Sequence, residues 1–172
     1  MHIHIAELND GLGKELPFSF ATAAAEIDAT AADYAFQGPI EVTGTVTNTG
    51  AGYRVTGVIR ATKHFVCDRC LDACTEAQEH AFSEVFQQGG TSGEDDVTLF
   101  TGDTIELDAL VRDTLLAAQP LSNICKPDCK GLCPVCGANL NHGDCGCDWF
   151  VPDPRLAALQ GLFTQKRLMD SF

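Results

Sequence analysis

Nine cysteines stand among 172 residues, and eight of them fall into four short pairs. Cys67 and Cys70 are spaced C-x2-C, Cys125 and Cys129 C-x3-C, Cys133 and Cys136 C-x2-C, and Cys145 and Cys147 C-x-C. Spacings this short bring two thiolates to one ion at about 2.3 Å and turn nearby backbone amides toward the sulfurs. Two zinc arrangements are compatible with them. In the preferred one, Cys133, Cys136, Cys145 and Cys147 hold one zinc, and Cys125 and Cys129 join Cys67 and Cys70 on a second. In the other, a single zinc takes four of the six C-terminal thiols and CDRC stays idle. The first avoids leaving surplus thiols beside a metal, where exchange and oxidation threaten. His142 offers a variant of the compact site, because C-x5-H-x2-C lets it replace one thiolate. Cys74 is assigned to neither site.

Four protein ligands close a zinc site, whereas a catalytic site keeps one position for water. The chain has no H-x-E ahead of CPVC, no H-E-x-x-H, no G-x-x-x-x-G-K-[ST] and no G-x-S-x-G. A redox role for CDRC needs a helix N-terminus to lower one thiol's pKa, and here a strand feeds the motif. The expectation is a non-enzymatic protein. His2 and His4, two apart near the start of the chain, read as surface residues. Trp149 and Phe150 read as packing against the zinc module, with base stacking as the alternative.

With 45% hydrophobic residues the chain can build a core without disulfide staples. An odd cysteine count and an N-terminus without the pattern of a secretory signal point to a reducing cytosol, and no stretch suits a membrane span. A net charge of −13 opposes broad contact with nucleic acid. Any RNA contact must be local, and Arg60, Lys63 and Arg69, around the first cysteine pair, are the candidates.

The elements that must place these thiols are mostly strands. IEVTGTVTNTG alternates Ile40, Val42, Gly44 and Val46 against polar residues, the period of a half-buried strand. Asn48, Gly50 and Gly52 turn the chain into YRVTGVIRATKHFVC, which delivers Cys67 into CDRC. AFQGP ends the preceding segment, and ATAAAEIDATAADYAF reads as either helix or loop. TEAQEHAFSEVFQ is ambiguous between strand and helix, QQGGTSGEDD is a loop and DVTLF a short strand. From Glu106, Leu107, Leu110, Val111, Thr114 and Ala118 share one face of an amphipathic helix stopped by Pro120. Asp153 and Pro154 open a final helix with Leu156, Leu159 and Phe163 inward. The fold class is α+β: a β-rich body with one amphipathic helix over 1–119, a cysteine-rich zinc knuckle module over 120–150 and a C-terminal helix over 151–172.

The succession CDRCL, ELDALVRDTLLAAQPL, CKPDCKGLCPVCGANLN, CGC and DPRLAALQGL, spanning roughly residues 40 to 163, resembles the YceD family of large ribosomal RNA subunit accumulation proteins. That resemblance implies a bacterial or organellar cytosolic factor for 23S ribosomal RNA accumulation and large-subunit biogenesis. On charge, a basic ribosomal protein or maturation factor ranks as partner slightly above direct contact with ribosomal RNA. The competing readings are a zinc- or thiol-dependent enzyme of RNA metabolism and a zinc-stabilised interaction module unrelated to ribosomes.

Overall fold

A computed structural model describes residues 1–9, 11–89, 97–148 and 155. The expected C-terminal helix, Trp149, Phe150 and most of the glycine-rich loop lie outside the described residues. The chain forms two compact units, one of Met1–Asp68 with Asp72–Cys125, the other of Arg69–Leu71 with the chain from Lys126 onward.

The first unit is built on a five-stranded sheet in the order β2-β3-β4-β5-β6, with β2 at Glu15–Thr22, β3 at Tyr34–Asn48, β4 at Tyr53–Val66, β5 at Ala73–Gln88 and β6 at Thr98–Phe100. The first four strands pair antiparallel in sequence order, while β6 runs parallel to β5 over Phe86–Gln88 only. A separate two-stranded ladder joins β1 (His2–His4) to β7 (Thr104–Glu106). TEAQEHAFSEVFQ is therefore strand. The segment before β3 contains a short 3-10 turn, Ala24–Ile27. AFQGP does not end an element. The strand runs through it with a register shift between Gln37 and Glu41, where Gly38 takes a φ of +76° and Pro39 has no N–H to lose from the ladder.

Alternation decides the inner face. On β3, Ile40, Val42 and Val46 are buried, and on β4 Tyr53, Val55, Ile59, Ala61, Lys63 and Phe65 follow at every second position, with Gly57 alone half-buried. Ile3, Ile5, Leu8 and Ile105 cover this face together with α1, Asp108–Ala117. Leu107, Val111 and Leu115 are all fully buried, so the helical stripe runs one turn at a time, while Glu106 belongs to β7 and not to the helix. Each fully buried Val, Leu or Ile side chain is worth about 1.5–3 kcal/mol.

In the middle of the sheet one row across four strands reads Phe18, Gly44, Gly57, Phe82. The glycines are there for space. A Cβ on Gly57 would stand 2.7 Å from Phe82 Cζ and 2.5 Å from the Thr43 carbonyl oxygen, and one on Gly44 would meet Phe18 Cζ at 2.6 Å. The two phenylalanines thus cover the surface that the glycines leave bare, much as aromatics shield strand glycines elsewhere.

Because the Thr43 carbonyl is backbone and cannot swing aside, Gly57→Ala is expected to destabilise the chain by about 1–3 kcal/mol. Ser83→Ala, on the exposed face of β5, should stay within about 0.5 kcal/mol. Urea unfolding midpoints compare the two, and equal midpoints would contradict the packing described.

Candidate metal centres

The inward alternation of β4 does not stop with the strand. Phe65 is followed two residues later by Cys67, which is fully buried. The chain then reverses: Cys67 N–H donates to the Asp72 carbonyl at 2.9 Å, and Leu71 adopts a left-handed φ of +60°. Within that turn Cys70 is 3% exposed.

In the first unit, residues 122–125 are laid against this turn by Asp68. Its N–H donates to the Asn123 carbonyl at 2.8 Å, and its carboxylate accepts from Asn123 N–H at 2.6 Å and Ser122 Oγ at 3.0 Å. Cys125 N–H in turn donates to Cys67 Sγ at 3.3 Å, the contact expected around a metal-bound thiolate. The second unit is tied to its own part of the turn. Arg69 Nη1 donates to the Cys129 carbonyl at 3.1 Å, Leu132 N–H donates to the Arg69 carbonyl at 3.1 Å, and Asn141 Nδ2 reaches Cys129 Sγ at 3.4 Å. Gly131, φ +75°, lets the backbone pass close to Arg69. The sulfurs of Cys67, Cys70, Cys125 and Cys129 all lie within 4.8 Å of one another.

The sulfurs of Cys133, Cys136, Cys145 and Cys147 form the second group, again within 4.8 Å. Here the knuckle is closed by Gly137 N–H donating to the Cys133 carbonyl at 2.9 Å and Cys133 N–H donating to the Ala138 carbonyl at 2.8 Å. Gly137 (φ +74°) supplies the sharp turn after the second thiol, and Gly146 (φ +69°) separates Cys145 from Cys147. Amides of Cys136 and Val135 aimed at Cys133 bring its thiol down to about 6. Hydrogen bonds shared with Cys136 and Cys145 push Cys147 up to about 12. Cys145 is pulled down by the Cys147 amide, but Cys133, burial and Cys136 outweigh this and raise it.

Four sulfurs around a zinc at about 2.3 Å sit roughly 3.8 Å apart, so both groups are sized for one ion with little rearrangement. None of the nine cysteines is joined in a disulfide. The eight paired cysteines therefore come together four and four, in the preferred pairing. His142 belongs to neither group; its N–H donates to the Asn139 carbonyl. Cys74 lies on β5 and its Sγ donates to the Asp72 carbonyl at 3.4 Å.

The basic candidates fare differently. Lys63 is not a surface residue: it is 1% exposed, its Nζ donates to Asn123 Oδ1 at 2.6 Å, and the rings of Tyr34 and Phe65 lie 4.5 and 5.1 Å away. Burial pushes its ammonium below the usual lysine range, while Glu76 and Asp68 pull the other way. The reason is parity, since Lys63 occupies an inward position of β4. Arg60 sits on the exposed face, paired with Glu79 at 2.7 Å. Alternation in YRVTGVIRATKHFVC already places lysine on the same face as Tyr53, Val55 and Ile59, a signal that reading the cations as a cluster misses. Among the described residues no helix is long and apolar enough to cross a membrane.

The profile of the large ribosomal RNA subunit accumulation protein YceD family matches residues 55–163, from near the start of β4 through both cysteine groups. An uncharacterized protein of Mycobacterium tuberculosis is 34% identical over 100 residues, covering 55% of this chain and 48% of that protein. The chloroplastic large ribosomal RNA subunit accumulation protein YCED homolog 1 of Zea mays is 26% identical over 162 residues, covering 73% of this chain and 54% of its own. Its Arabidopsis thaliana counterpart is 27% identical over 146 residues, covering 67% and 46%. The chain thus spans about half the length of the curated relatives it matches. No solved structure matches. With a profile match that takes in well over half its residues and both thiol groups, the chain belongs to the YceD family of large ribosomal RNA subunit accumulation proteins.

Proposed function

We propose that this chain is a non-enzymatic cytoplasmic factor in 23S ribosomal RNA accumulation and large-subunit biogenesis, held in shape by two structural zinc ions. The family match over residues 55–163 is the observation that carries this reading, and the plant relatives' names agree with it. Zinc is favoured by the donor sets. All-thiolate tetrads suit a soft, tetrahedral ion, and four protein sulfurs leave no position for an activated water, which supports a structural role over hydrolysis.

A basic protein of the large subunit or its maturation machinery is the favoured partner. The charge of −13 steers cations toward the chain and phosphates away. Strand β5 supports the same choice. Among the described residues nothing pairs with Ala73–Val85 on the side away from β4. The strand carries Glu76, Glu79 and Glu84 but neither proline nor lysine, the usual blunting devices of an edge, whereas Pro17 interrupts donors on the opposite edge strand, β2.

Native mass spectrometry should find two zinc ions per chain, and one after Cys67→Ser with Cys70→Ser. An unchanged count would remove the centre that includes them. In the compact centre, Cys145 and Cys147 carry protons at neutral pH and must lose them to bind metal, whereas Cys133, at about 6, is largely ionised already. These two protons alone make zinc affinity rise about a hundredfold per pH unit near neutrality. Chelator competition in the Cys67→Ser/Cys70→Ser protein, followed from pH 6.5 to 8, measures that slope; a flat profile contradicts the assignment. For the partner, purified basic large-subunit proteins should bind with an affinity that falls as salt rises and on replacing Glu76, Glu79 and Glu84 by lysine. Binding to 23S fragments alone, insensitive to those replacements, would move the role to direct RNA contact.

A further inference from the structure

Among the described residues only three polar side chains are buried, Thr22, Lys63 and Asn123, and two of these are bonded to each other. A buried ammonium is costly unless a counter-charge or several acceptors meet it. Lys63 has one short bond, to the neutral Asn123 Oδ1, and two aromatic rings beside it; no described carboxylate lies within ion-pair reach. For core packing alone, an apolar side chain at this position would serve better. What the lysine does hold is Asn123.

Three polar groups of Asn123 are engaged. Its side chain accepts from Lys63, its N–H donates to the Asp68 carboxylate, and its carbonyl accepts from Asp68 N–H. Two residues on, Cys125 N–H meets Cys67 Sγ. A continuous set of bonds therefore runs from the floor of the sheet to the two thiols that the first unit contributes to a metal centre. A divalent ion held by four thiolates keeps a net negative charge, and a buried cation in the same bonded network is suited to offset it.

We infer that Lys63 and Asn123 are positioning residues for zinc at Cys67, Cys70, Cys125 and Cys129: Lys63 anchors Asn123, Asn123 sets Cys125 against Cys67, and the buried charge balances the loaded centre. This rests on the zinc reading above. Neither residue touches the metal. Removing the latch should weaken this centre and leave the compact one unchanged, which general loss of structure would not do.

The test uses Lys63→Met, which keeps the length and apolar stem while deleting the charge and the donor. Zinc affinity is measured by competition with a chromophoric chelator in two backgrounds. Cys133→Ser/Cys136→Ser retains only the centre with Cys67, and Cys67→Ser/Cys70→Ser retains only the compact one. In the first, Lys63→Met is expected to lower zinc affinity by about 10- to 100-fold, the usual effect of losing an outer-shell partner. Asn123→Ala should do the same, Lys63→Arg should recover part of the affinity, and the second background should show no change. An affinity within twofold of the parent in the first background would overturn the inference while leaving the zinc reading intact. An equal loss in both backgrounds would also overturn it, as general destabilisation. A parent chain holding no zinc at Cys67 would take the zinc reading down with it.

Discussion

The register of β4 is the constraint on which the rest depends. One strand parity runs through Tyr53, Val55, Ile59, Ala61, Lys63, Phe65 and Cys67, so the hydrophobic floor of the body and the first thiol are set by a single alternation. A slip of one residue would turn all of them outward together. The neighbours on either side lock that register, because Gly57 must stand between Gly44 and Phe82 for the rings of Phe18 and Phe82 to fit. Core packing and thiol placement therefore share one cause.

How far this could be read from the sequence depended on the length scale of each feature. Period-two patterning marked the strand around Ile40–Val46 and the one leading into CDRC, and the cysteine spacings gave the four short pairs, since short loops define their geometry locally; joining Cys67 and Cys70 to Cys125 and Cys129 rested instead on leaving no surplus thiol beside a metal. What escaped is non-local. β1 and β7 are three residues each, and their pairing joins positions about a hundred apart in sequence. The run through Gly38 and Pro39 looked like a break because both residues usually end elements; a bulge accommodates them. Lys63 was misread for another reason: its charge suggested solvent, and only an acceptor sixty residues downstream makes its burial tolerable.

The two thiol groups differ in how they are built. The compact one is a product of local turns, with glycines at Gly137 and Gly146 taking conformations that other residues resist. The group containing Cys67 depends on a sheet, a tight reversal and a distant segment held by Asp68 and Asn123. The first can form as soon as its own stretch of chain exists. The second can form only after the body has folded, so its geometry depends on the body in a way the compact group's does not.

The ladder between β1 and β7 has a consequence for synthesis. Ile3 pairs with Ile105 and Ile5 N–H donates to the Asp103 carbonyl at 3.0 Å, so the first strand has to wait for residues made much later. At ~5–20 residues per second, that interval is roughly 5–20 s. Throughout it, Ile3, Ile5 and Leu8 trail from the nascent chain with part of their cover still unmade. Residues made well before β7 are thus among the last of this body to find their places, and β1 docks only once β7 exists.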